Sequence, residues 1–153
     1  MKTIVFAFMF LPLLACGKPP EQPAGAADTV PVAGLKAGEA ALVRLAPEEK
    51  RNPLPDGGWF IWKFSEKPKL GTVIVKVQVF GKDGEQENSY DVAGEFGMPS
   101  MRDHDSGPVK FQTNRKGDYL LPVDIAMEGG WKLLIKFKRD KNEVYAGKVL
   151  FDI

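Results

Sequence analysis

The chain has 153 residues, 44% of them apolar and 27% charged, with 21 basic against 20 acidic side chains. That length and composition fit one globular domain with a real core, and the balanced charge excludes phosphate-driven nucleic-acid binding, which needs clustered positive charge. One Cys and one His leave no intramolecular disulfide and make zinc chemistry, which uses several His or Cys ligands, a poor fit.

The first elements are signals for export. Lys2 is a short positive start, and Ile4 to Ala15 is a nearly continuous apolar run broken by Pro12. Such a run suits a signal peptide and is short of the ~20 apolar residues a spanning helix needs. It ends Leu13-Leu14-Ala15-Cys16, an order that resembles the lipobox of bacterial lipoproteins. The resemblance implies that residues 1–15 are removed and that Cys16 carries a diacylglyceryl group and an acylated amine. Several acyl chains give firm anchoring, since each buried methylene contributes ~0.8 kcal/mol. Gly17 stands where the sorting rules of Gram-negative lipoproteins would place Asp for retention. By that resemblance the expected location is the outer membrane, facing the periplasm, with the outer face of the cytoplasmic membrane as the alternative.

Residues 16–56 read as a tether. Gly17 to Asp56 holds Pro19, Pro20, Pro23, Pro31, Pro47, Pro53 and Pro55 among many Ala and Gly, a composition that disfavours regular structure. The exception is Ala41-Leu42-Val43-Arg44-Leu45, a short edge strand or a brief helix.

From residue 57 to 153 the period is two. Val73, Val75, Val77 and Val79 share a face, as do Tyr90, Val92, Gly94 and Phe96. Val109, Phe111 and Thr113 form the next set, then Tyr119, Leu121, Val123 and Ile125, then Trp131, Leu133, Ile135 and Phe137, and last Val149, Phe151 and Ile153. This alternation predicts half-buried strands. Lys82-Asp83-Gly84, Arg115-Lys116-Gly117, Glu128-Gly129-Gly130 and Asp140-Lys141-Asn142 supply the turns between them. Pro122 predicts an edge or a bulge in its strand. No amphipathic helix is visible. About seven short strands with these turns predict an all-β fold, an immunoglobulin-like antiparallel β-sandwich. Lys132, Lys136, Lys138, Arg139 and Lys141 read as a solvated strand face and turn.

One constellation carries possible chemistry. Met98, Met101 and His104 are three apart in a loop bounded by Gly97 and Gly107, and Met127 lies shortly before Trp131. Alternating strand directions would gather Met98, Met101, His104, Met127 and Trp131 at one pole of the sandwich. Thioethers and an imidazole suit Cu(I) better than Zn(II), Mg(II) or Ca(II). The alternative is that Met98 and Met101 plug the end of the core, since Met fills irregular gaps well, and that His104 is an exposed loop residue. Met101 and His104 would be the ligands most at risk, because their neighbours are polar and exposed.

Catalysis is not expected. His104 with Ser100 or Ser106 would be the sole source of a Ser-His arrangement, and no nucleophile-elbow or oxyanion pattern accompanies it. Gly81-Lys82-Asp83-Gly84 is a hairpin turn, not a phosphate loop, and Asp103 and Asp105 lack the rest of a calcium-loop ladder.

Met98-Pro99-Ser100-Met101, Gly117-Asp118-Tyr119 and Met127-Glu128-Gly129-Gly130-Trp131, in that order and spacing, resemble the YtkA-like and FixH-like domains. The Val-rich segment from Gly71 to Gly84 is similar to them too. The resemblance spans about residues 57–153 and implies a small extracytoplasmic β-sandwich without known catalysis. For FixH proteins it implies a link to cbb-type oxidase assembly and copper supply. This chain departs from FixH proteins in having a lipobox in place of a spanning helix. Two readings follow: a lipid-anchored binding module that handles metal, copper preferred, or serves a membrane complex, and a purely structural module that contacts an envelope protein.

Overall fold

A computed structural model describes residues 41–101 and 105–153. Cys16 and His104 lie outside the described residues, as does the rest of the lipobox. The described residues form eleven strands and no helix, in two sheets. Six strands have six or more residues: β3 (Trp59–Phe64), β4 (Gly71–Phe80), β6 (Asp91–Gly97), β9 (Tyr119–Ile125), β10 (Gly130–Arg139) and β11 (Asn142–Asp152). Five short ones accompany them: β1 (Leu42–Arg44), β2 (Asn52–Pro53), β5 (Gln86–Glu87), β7 (Val109–Lys110) and β8 (Gln112–Thr113). One sheet has the order β1-β11-β10-β6-β7, and the other the order β2-β3-β4-β9-β8, with β5 on β4. All neighbours are antiparallel except β1, which lies parallel to β11.

The period-two alternation is the cause of this arrangement. Val75, Val77, Val79, Leu121, Val123, Leu133, Ile135, Phe137 and Phe60 are all 0% exposed and face inward. Each aliphatic side chain removed from water in this way contributes roughly 1.5–3 kcal/mol. Aromatic pairs join the sheets: Phe60 meets Phe137 at 4.5 Å and Phe64 meets Phe151 at 4.9 Å. The sheets approach closely at Gly94, where a Cβ would stand 2.4 Å from Leu121 and 3.0 Å from Phe111. The tightest hairpin joins β10 and β11 through Asp140 and Lys141, both in the left-handed region at φ 51° and 68°. Positive φ at both central residues matches the strand twist.

Two expectations are corrected. First, the fold starts before residue 57, since residues 41–56 are not a tether. Leu45, Asn52 and Leu54 are 2–5% exposed. The Asn52 Oδ1 accepts from Ala46 N–H at 2.8 Å, and Trp62 Nε1 donates to the Ala46 carbonyl at 2.9 Å. Glu48 accepts from Phe64 N–H at 3.0 Å. Pro47 and Pro55 lie in turns, and Pro53 belongs to β2, opposite Trp59. Ala41 to Leu45 contains the edge strand β1, not a helix. Second, residues 109–113 are not one strand. Val109–Lys110 pairs with β6 and Gln112–Thr113 with β9, so the chain crosses between sheets at Phe111, which is buried at 3% exposure. Pro122 behaves as expected of an edge: it pairs with Ile74 of β4, while β8 on the other side reaches only Leu120.

Candidate functional site

The strand registers set the two ends of the sandwich. At one end β6 finishes beside the start of β10, with Gly97 opposite Lys132. The end of β9 lies opposite the start of β4, Ile125 facing Gly71. The methionines stand here. Met98 follows β6 and is 5% exposed, within the hydrophobic core. Met98 and Met101 form an antiparallel bridge, the Met101 N–H donating to the Met98 carbonyl at 2.9 Å. The bridge leaves Met101 43% exposed. Ser106 closes the neck of the loop: its N–H donates to the Phe96 carbonyl at 2.8 Å, and its Oγ accepts from Phe96 N–H at 3.0 Å.

The β9–β10 turn comes to the same end. Trp131 is 4% exposed, and its Nε1 donates to the Met127 carbonyl at 3.1 Å. Met127 is partly buried against the core. Gly129 has φ +130° and exchanges backbone hydrogen bonds with Ile153. A Cβ on Gly129 would stand 2.9 Å from the Met98 methyl. Met98 therefore packs on the turn that carries Met127. Met98, Met101, Met127 and Trp131 are gathered at one end, and His104 is not placed because it lies outside the described residues. Asp105, next to it, pairs with Lys132 at 3.4 Å.

Chemically this end holds three methionines and a tryptophan. Met98 and Trp131 are closed to solvent, and Met101 is exposed. The Ser106 Oγ is engaged with Phe96 and with the Gly107 carbonyl at 2.8 Å, bonds that belong to loop closure rather than to nucleophile activation.

The other end is polar. Asp118, 3% exposed, accepts from Lys76 at 2.8 Å, Gln78 at 2.7 Å, Gln86 at 3.2 Å and Asn114 at 3.0 Å. Burial by itself would raise its pKa. The hydrogen bonds from Lys76, Asn114, Gln78 and Gln86 outweigh that and push it down to about 2. Arg139 pairs with Asp56 at 2.7 Å, reaches Glu87 and Ser89, and lies over the Tyr90 ring at 4.2 Å. The Tyr90 hydroxyl donates to Asp56. Burial and that bond raise the Tyr90 pKa. Sequence reasoning placed Arg139 on a solvated basic face. Its partners Asp56, Glu87 and Ser89 are 83, 52 and 50 residues away, so no local pattern marks them. Lys132 and Lys136 of the same basic stretch hold Asp105 and Glu95.

No protein-family model matches the chain, and the search of curated proteins gives no match. The YtkA-like and FixH-like resemblance therefore rests on its short motifs alone.

Proposed function

We propose that the chain is a non-catalytic, lipid-anchored binding module of the bacterial envelope whose methionine-bearing end handles copper as Cu(I). In this reading Cys16 is lipidated and holds the module at the outer membrane, facing the periplasm. The strand order, with β1 parallel to β11 and β11-β10-β6 stacked on β3-β4-β9-β8, supports an immunoglobulin-like topology. The observation that carries the metal reading is the bridge that turns Met101 outward beside Met98, on the end that also holds Met127. Soft, uncharged thioethers fit a soft monovalent cation and not a hard one. Met101 and His104 are the ligands assigned, with Met127 and Met98 behind them.

The test is a competition titration of the full chain with Cu(I) and a chelator under reducing conditions. Wild type takes up one Cu(I), and Met101→Ala with His104→Ala loses it. Unchanged uptake in the double variant defeats the assignment. Cys16→Ala abolishes acyl labelling and membrane retention, and retained labelling defeats the anchoring claim.

A second reading is favoured by the 5% exposure of Met98. The methionines would be core plugs, and the module would contact an envelope protein or membrane complex without metal. Absence of Cu(I) uptake by wild type selects this reading.

A further inference from the structure

A separate feature is the open edge at the end of β11. Ile153 and Gly129 exchange both backbone hydrogen bonds, at 3.2 and 3.3 Å. Strand alternation then turns the backbone groups of Phe151 and Val149 toward β10, and those of Leu150 and Asp152 away from it. The Lys148 carbonyl, two residues earlier, faces the same outer side, where it accepts from Leu45 N–H at 2.8 Å. β1 covers that side at Ala146, Gly147 and Lys148 and no further. The N–H and C=O of Leu150 and of Asp152 therefore lie along an open edge, with no partner among the described residues.

Open edges pair with other strands unless something blocks them. On the other sheet a proline does so. The Ile74 carbonyl accepts from Ser65 N–H, so Ile74 faces β3, and Pro122 opposite it gives the outer side of β9 a position with no N–H. The end of β11 has no such guard. Leu150 is 64% exposed on the outer face. On the inner face Val149, Phe151 and Ile153 are only partly buried against the core. A strand added here finds backbone partners and apolar side chains on both faces.

The same residues complement a second copy of themselves. We infer that two copies of the chain pair through residues 149–153, antiparallel about a two-fold axis, with Phe151 opposite the partner's Phe151. In that register Leu150 exchanges both backbone hydrogen bonds with the partner's Asp152, and Asp152 does so with the partner's Leu150. Val149 comes opposite the partner's Ile153 on the inner face. On the outer face Lys148 lies diagonal to the partner's Asp152, a separation that a long side chain spans. Neither Lys148 nor Asp152 has an ion pair among the described residues, and the register neighbour of Lys148 on β1 is Arg44, a like charge. The second copy supplies the carboxylate that Lys148 lacks. A register shifted by two residues toward Lys148 would put the partner strand where β1 already lies. The contact is short, so the dimer is a weak one.

The test is sedimentation equilibrium of the full chain carrying Cys16→Ala, so that neither an acyl chain nor a thiol joins copies, together with amide hydrogen exchange. The expected result is a reversible rise from monomer to dimer mass as concentration approaches about 1 mM. Exchange at the Leu150 and Asp152 amides slows as the dimer forms. Leu150→Pro removes an outward N–H that the monomer does not use, so the fold is kept and the dimer is lost. Asp152→Lys weakens the dimer by about fivefold, and adding Lys148→Asp restores it. Four results overturn the inference: monomer mass throughout, association in which those two amides exchange as fast as in the monomer, an unchanged dimer in a folded Leu150→Pro variant, or an unchanged dimer in Asp152→Lys. Mass and exchange in the Cys16→Ala chain alone decide the matter even if Leu150→Pro does not fold.

Discussion

The two ends of the sandwich are closed by opposite chemistries. At the polar end, Asp118 accepts from Lys76, Gln78, Gln86 and Asn114, and Arg139 ties Asp56, Glu87 and Ser89 together. Each group there answers another, so the end is saturated. At the methionine end, closure is apolar: Met98 packs on Gly129 and Trp131 covers the β9–β10 turn. The next thioether along, Met101, points outward with 43% exposure. A saturated polar network stabilises the fold and leaves no valence for a ligand. An apolar plug with one soft donor at its rim leaves something for a ligand to take.

Variants at the two ends test that contrast. The largest effect is expected at Met98→Ala, which leaves a cavity where the methyl meets Gly129 and costs ~2–5 kcal/mol of stability in denaturant unfolding. A cost well under that range would mean that Met98 is not a plug. Next is the polar end under acid. The Asp118 pKa is lowered from 3.8 to about 2 in the folded chain. Its contribution of about 2 kcal/mol is therefore fully present above the unfolded value and is lost as pH falls through the folded value. Urea unfolding at pH 7 and near pH 2 reads this, and Asp118→Asn is expected to shrink the difference by about 2 kcal/mol, the rest belonging to other carboxylates such as Asp56. Arg139→Ala is smaller, about 1 kcal/mol, because its carboxylate partners are about one-third exposed and screened by water. The smallest effect is at Met101→Ala, within about 0.5 kcal/mol by thermal unfolding, while Cu(I) affinity falls. A large stability loss at Met101 would erase the difference between plug and donor.

Much of the sandwich is legible in the alternation. The inward sets of β4, β9 and β10 are the very residues that the period of two selects, since a strand buried on one face has no other solution. The turn at Asp140 and Lys141 is legible for the same reason, because a two-residue hairpin needs residues there that accept positive φ. Residues 41–56 are misread because composition outweighs pairing. Pro47, Pro53 and Pro55 suggest a tether, and nothing local announces that Asn52 will cap Ala46 or that Trp62 will hold its carbonyl. The crossing at Phe111 is hidden because a segment that changes sheets keeps the same alternation as one that does not. At the methionine end, strand parity alone brings Met98 and Met127 together. The burial of Met98 and the exposure of Met101 depend on a bridge within the loop, which spacing does not encode. Apart from Asn114, four residues from Asp118, the partners in the Asp118 and Arg139 networks lie tens of positions away and leave no trace in a local window of the sequence.

Copper K-edge X-ray absorption of the full chain loaded with one Cu(I) tests the central claim most directly. The account predicts thioether sulfur together with an imidazole nitrogen in the coordination shell, with sulfur scattering reduced in Met101→Ala. A shell of nitrogen and oxygen alone, or a sulfur signal unchanged by that substitution, would contradict it.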